Sequence, residues 1–296
     1  MEPKNPPKII SLVKTKFKLY LPLIKSLQTG LLLLTGVTGY MSARCPVLPW
    51  STFIGLICSL FLAISGSTVL NMVFDRDIDA RMSRTANRPL PAGRISVNEA
   101  LFLGLILSFG GLVWSFLLSF LYGIVVFAGL FIDVVIYTLW LKRKTAWSIV
   151  WGGVSGGMPI LAGRVLGLGE LDIIGGLLSL AILLWIPTHI LTFSMHYYND
   201  YERAGIPTFP STYGNKNTRL IIALSSLGVA LSIALGLFFL GLSWGYLRLL
   251  AVLTVGMLGL VLVSIFRPSE SINFGLFKYA SLYMLSSMSM VLLGVL

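Results

Sequence analysis

The chain has 296 residues, 56% of them apolar and 11% charged, and its mean hydropathy is +0.89. Soluble domains carry about 25% charge, so an ordinary cytosolic protein, a disordered tail and a collagen-like fibre are excluded. Twenty-two Lys and Arg residues against eleven Asp and Glu give +11; in so apolar a chain the excess reports topology, not nucleic-acid binding. Cys45 and Cys58, too few for a disulfide framework or a zinc site, read as packing residues.

Residues 1–19 carry Lys4, Lys8, Lys14, Lys16 and Lys18 among apolar side chains. They read as a basic interfacial segment resting on anionic lipid, not as a cleaved signal peptide. Apolar runs then recur at about 20–43, 50–74, 97–120, 121–141, 146–165, 173–198, 217–241, 244–266 and 274–295. Each reaches the length of a transmembrane helix, about 20 residues. The expected architecture for 20–296 is therefore an all-α, polytopic bundle of nine transmembrane helices. The third and fourth spans are expected to part at a short turn near Leu121 and Tyr122.

With the N-terminus cytoplasmic, Arg44, Arg164 and Arg248 fall on the far side and the other nineteen basic residues on the cytoplasmic side. The positive-inside rule predicts such a split. The expected location is a cell membrane, crossed many times. The long cytoplasmic loops after helices 2 and 6 both hold acidic residues, and Asp75 and Asp200 stand in matching places. That correspondence suggests a weak parallel repeat.

Helix 2 ends in Asn71-Met72-Val73-Phe74-Asp75-Arg76-Asp77-Ile78-Asp79. Asn71, Asp75 and Asp79 are spaced i, i+4, i+8, which stacks three oxygen-bearing side chains on one stripe about 12 Å long. Aligned carboxylates repel unless a cation lies between them. Oxygen-only ligands suit Mg²⁺, which takes one or two carboxylates and completes its shell with water and phosphate. Arg84 and Arg88 follow and can clamp phosphate oxygens. A solvated charged loop is the plainer reading of the Asp-Arg-Asp run. Asn71, inside the apolar run and in need of partners, argues against it.

After helix 6 come His196, Tyr198, Asn199, Asp200, Tyr201, Glu202 and Arg203. Here His196 and Asp200, and Asn199 and Arg203, are i, i+4 pairs. Two oxygen-rich clusters at matching loops of one bundle point to a diphosphate–Mg²⁺ site.

These motifs resemble those of the UbiA-type intramembrane prenyltransferases. The likeness rests on Asn71-x-x-x-Asp75-x-x-x-Asp79 and on Arg84-Thr85-Ala86-Asn87-Arg88. Within that superfamily the chain is most similar to the protoheme-farnesylating branch, through 75–79, 137–143, Asp200-Tyr201, 204–207 and His189. The resemblance runs from about residue 20 to 215. It implies Mg²⁺ as cofactor, with Asn71, Asp75, Asp79 and Asp200 as its ligands. Asp75, Asp79 and Asp200 would also be the catalytic acids. It implies an isoprenyl diphosphate, most simply farnesyl, held by Arg84, Arg88, Lys142, Arg143 and Arg203. The acceptor would be a flat hydrophobic molecule, haem in that branch, at a site on the cytoplasmic face. Ala204 stands where many members carry a further Asp.

Other residues keep two readings. Lys25 either snorkels to the interface or reaches the diphosphate. Asp133, the one carboxylate well inside a span, is either structurally paired or lines the acceptor chamber; Tyr198 and Asn199 are expected among the substrate-binding residues. His189 either packs helices or faces the acceptor ring as ligand or donor. The implied reaction moves a prenyl group onto a haem vinyl. Prenylation of a quinone precursor or a polar lipid is the alternative within the class, and a lipid-phosphate or cation transporter is the rival outside it. A transporter places its charged site near the bilayer midplane, whereas both motifs here fall at helix ends.

Overall fold

A computed structural model describes residues 19–44 and 49–295. Nearly all of the basic N-terminal segment, and Cys45, lie outside the described residues. Among those described, every regular element is helical, the form that satisfies backbone groups within a single segment in lipid. A short 3-10 turn, Leu21–Ile24, leads into α1 (Ser26–Ser42). There follow α2 (Trp50–Phe74), the short α3 (Arg76–Arg81), α4 (Val97–Leu118) and α5 (Phe120–Phe131). The last of these continues as a π-helix over Ile132–Leu141. Next come α6 (Ser148–Leu168), α7 (Ile173–His196) and the short α8 (Tyr198–Arg203). The chain ends with α9 (Phe209–Phe239), α10 (Trp244–Phe266) and α11 (Glu270–Val295).

Eight helices among the described residues are long and apolar enough to cross a membrane: α2, α4, α5 with its π-helical end, α6, α7, α9, α10 and α11. The 17 residues of α1 reach only about 25 Å, short of a hydrocarbon core of about 30 Å. The break between the third and fourth expected spans falls at Ser119, not at Leu121-Tyr122; its extended backbone (φ −163°, ψ 139°) ends one helix and starts the next. The seventh span begins at Phe209, eight residues before the expected start. Thr208 and Ser211 form a capping box there with Pro210 in the first turn, and Gly214 interrupts the helix at φ 77°.

The packing repeats. In the first half α2 lies against α4 and α4 against α5; in the second, α7 lies against α9 and α9 against α10. The second long helix of each half runs into a six-residue helix, α3 or α8. The last helix, α11, touches α7, α10 and α1. The halves meet where α1 crosses α6. A Cβ on Gly39 would stand 2.0 Å from the Ile160 carbonyl oxygen, and one on Gly163 1.9 Å from that of Gly36. Only glycine allows backbones this close. Outward faces carry Phe102, Phe109, Leu117 and Phe266, while exposed Trp50, Trp140, Trp147 and Trp244 stand at helix ends. This is the surface a bilayer requires.

Candidate active site

At Asp75 the chain leaves helical geometry (φ −94°, ψ 5°), the bridge region between α2 and α3. The hydrogen bonding continues across the break: the Asp75 amide donates to Asn71 O at 2.9 Å and the Asp79 amide to Asp75 O at 2.8 Å. The i, i+4 alignment read from the sequence therefore survives the kink. Asp75 and Asp79 are buried at 8% and 6% exposure, whereas Asp77 is exposed on another side.

Each acid meets a cation. The Lys142 ammonium donates to Asp75, and Arg88 to Asp79 at 2.8 Å. Arg143 forks onto Asp77 at 2.6 and 2.8 Å and also reaches the Phe74 carbonyl. The hydrogen bond from Arg143 holds the Asp77 carboxyl below the ordinary carboxylate range. Lys25, half-buried with φ 45°, precedes α1 at the mouth of the bundle. Burial, then the neighbouring cations Arg88 and Lys142, lowers its ammonium to about 8. Three basic groups thus crowd around two buried carboxylates, an excess that favours an incoming anion.

Asn71 is tied to a neighbouring helix. Its Nδ2 donates to Asp133 at 2.8 Å and its Oδ1 accepts from Thr138 at 2.9 Å. Ser67 on α2 and Ser155 on α6 donate to the same Asp133, at 2.5 and 3.5 Å. Asp133 therefore stands as the hub of a polar web joining α2, α5 and α6, the structurally paired of its two readings. The π-helix makes the web possible. Residues five apart on an α-helix point about 140° apart, but i→i+5 winding brings Asp133 and Thr138 to one face. The sequence carries no local signal for it.

Asp200, buried on α8, accepts from the Ser83 hydroxyl at 2.8 and 3.0 Å and from the Ser83 amide at 3.3 Å. That hydroxyl chiefly holds its carboxyl below the usual range. The two acidic loops are thereby joined, through a serine the sequence reading passed over. Arg84, next to it, lies over Phe193 at 5.0 Å, Tyr197 at 5.5 Å and Tyr201 at 5.9 Å. Arg203, at the end of α8, is exposed. Tyr198 and Asn199 line a separate cavity. His189 is sandwiched between Trp185 (4.6 Å) and Phe277 (4.4 Å), with its Nδ1 at 3.1 Å from the Ser281 hydroxyl. Its packing partners are thus α7 and α11; the remaining ring nitrogen is Nε2.

Among the described residues no three His, Cys, Asp or Glu side chains form a metal cage by themselves. Mg²⁺ does not need one, since phosphate oxygens and water fill most of its shell. Asp75 Oδ1 is buried without a hydrogen-bond partner. An acceptor-only oxygen so placed fits a cation. The donors present therefore suit a metal brought in with a diphosphate.

Residues 32–282 match the UbiA prenyltransferase family. The chain belongs to that family. It is 41% identical over 261 residues to a protoheme IX farnesyltransferase of Pyrobaculum islandicum, covering 88% of this chain and 92% of that one. A protein of the same name from Archaeoglobus fulgidus is 41% identical over 77% of this chain and 83% of its own length. The fold matches a structure reported for digeranylgeranylglyceryl phosphate synthase (TM-score 0.80, 21% identity, 95% of this chain and 99% of that one). It also matches a UbiA homolog from Archaeoglobus fulgidus bound to GPP and Mg²⁺ (TM-score 0.68, 17% identity, 92% and 99%).

Proposed function

We infer that this intramembrane prenyltransferase moves a farnesyl group from farnesyl diphosphate to a vinyl group of protohaem IX. The observation carrying the acceptor is the 41% identity, over most of both chains, to proteins named for that reaction. The cation-ringed acids Asp75 and Asp79 support the chemistry. Lys25, Arg84, Arg88 and Lys142 would bind the diphosphate, the carboxylates paired with Arg88 and Lys142 turning to the metal as the anion enters. Both charge sets stay paired in this exchange, which spares the cost of an unpaired charge in a low-dielectric site. Asp75, Asp79 and Asp200 would hold Mg²⁺, which supplies charge neutralisation to the leaving group. Asn71, held by Asp133 and Thr138, would orient the stripe and keeps a second lone pair on Oδ1 for the metal.

The allylic C–O bond breaks and the diphosphate leaves with the electron pair, stabilised by these basic groups. Packed apolar helices keep water from the allylic cation. The vinyl π electrons form the new C–C bond. Water then adds to the carbon beside the porphyrin and loses its proton, leaving a hydroxyethylfarnesyl haem and diphosphate. No redox cofactor enters this balance.

We infer nine crossings, α1 included, with the N-terminus and the site on the cytoplasmic side; the nineteen-to-three division of basic residues supports this reading. The test of function is mass spectrometry of products after purified protein receives farnesyl diphosphate, Mg²⁺ and either haem or phenolic acceptors. Farnesylated haem with released diphosphate is expected. Phenolic product alone would overturn the acceptor.

A further inference from the structure

Beside the diphosphate site lies a polar cavity of about 370 Å³, at the junction of α7, α8, α9 and α11. The two are separated by α8: Asp200 faces Ser83, while the preceding Tyr198 and Asn199 line the cavity. Three buried polar atoms in its wall lack a hydrogen-bond partner: His196 Nδ1, Arg219 Nε and Asn273 Oδ1. Asn273 is only 3% exposed, and its Nδ2 is committed to the Thr192 carbonyl at 2.8 Å. The cavity's own acid, Glu270, stands at the rim 3.0 Å from His196 Nδ1. Arg219 therefore brings a permanent positive charge that no carboxylate in the cavity wall offsets at contact distance.

A row of half-buried aromatic rings leads from this cavity back to Arg84. His196 stacks on Phe274 at 4.9 Å, Phe274 on Phe277 at 5.7 Å, and Phe277 lies 5.6 Å from Phe193, over which Arg84 sits. A flat, largely apolar acceptor with acidic side arms suits the two ends of this row in chemistry. We propose that the cavity seats a carboxylate of the acceptor, with the Arg219 guanidinium as its counter-ion and the ring row alongside the acceptor's apolar body. Asn273 Oδ1 can only accept, so it holds a water bridging to that carboxylate. The assignment rests on the haem reading above, whose propionates are such arms. It orients the macrocycle so that its opposite edge points to the diphosphate.

The experiment compares protohaem with its dimethyl ester, which keeps the ring and removes both negative charges. The wild-type protein is expected to use the diacid with a KM about tenfold or more below that of the diester, the scale of a hydrogen bond to a charged group. In Arg219→Met this gap closes, and in Arg219→Lys it partly returns. Equal KM values for diacid and diester in the wild type would overturn the proposal without any variant. So would a full gap in Arg219→Met, with the farnesyl-haem product still forming. A wild type that makes no farnesylated haem at all overturns the haem reading, and this assignment with it.

Discussion

Lys142, the residue after the π-helical end of α5, donates its ammonium proton to Asp75, the residue at which α2 breaks. Two irregular points of two helices thus meet through one ion pair. A third irregular residue, Lys25 with its positive φ, stands within electrostatic reach of both. Strain and departures from regular winding collect at sites with work to do.

The pair should be catalytic, not architectural. Asp75→Asn and Lys142→Met are each expected to lower kcat/KM by about 100-fold or more, the scale of losing one charge-stabilising group. Both should leave a protein that extracts and elutes as the wild type does. The double variant should lose much less than the product of the two, since the residues act as a unit. A wild-type rate for Asp75→Asn at limiting Mg²⁺ would remove this carboxylate from the metal site.

Lys25 sets a pH dependence. Its ammonium is held to about 8 in the free protein, and a bound diphosphate raises it. Affinity for the diphosphate should then be flat well below pH 8 and fall with rising pH above it, because binding there must take up a proton. Titrating the Kd of farnesyl diphosphate from pH 6 to 9.5 reads this directly. Lys25→Met should weaken binding at neutral pH and abolish the alkaline fall. If the fall persists in that variant, another group is responsible.

The α1–α6 crossing predicts a sharp contrast between glycines. Gly163→Ala must push apart two backbones, and overpacking costs about 1–3 kcal/mol or more; thermal inactivation in detergent should move down by several degrees. Gly30→Ala, with open space around the added methyl, should not lower it. Equal behaviour would mean the seam can yield.

Sidedness follows from the charge division. In a background without Cys45 and Cys58, a thiol placed at exposed Asn87 or Glu202 should label from the cytoplasmic face, and one at Glu170 from the other. Labelling of 87 and 170 from one side would break the topology.

Much of this was legible in the chain itself. Apolar runs and the 3.6-residue period are local, so α2, α10 and the Asp75–Asp79 stripe lie close to where the sequence places them. Partnership was less legible. Asn71 meets Asp133 across 62 positions and Ser83 meets Asp200 across 117; neither leaves a mark in its own neighbourhood. The matching positions of the acidic loops hinted that they converge, but not that Ser83 joins them. Short α8 splits its residues between two sites, so spacing alone grouped Tyr198, Asn199 and Asp200 where the fold divides them. The π-helix, which turns Thr138 toward Asn71, announces itself in no residue.

The crossing of α1 and α6 also bears on how substrates come and go. Carriers that expose a site to each side in turn rock one half of the molecule against the other about their shared boundary. Here that boundary brings backbone against backbone at Gly36, Gly39 and Gly163, flanked by Tyr40, Ala162 and Val165 packed together in one buried cluster. On the far side Arg164 fastens the same boundary, reaching Ser42 O at 2.6 Å while Asp172 grips its guanidinium at 2.6 and 2.7 Å. The halves are riveted rather than hinged. A fastened boundary of this kind makes exposing a site to each side in turn the costlier motion, and leaves sideways entry between neighbouring helices as the route open to an apolar substrate.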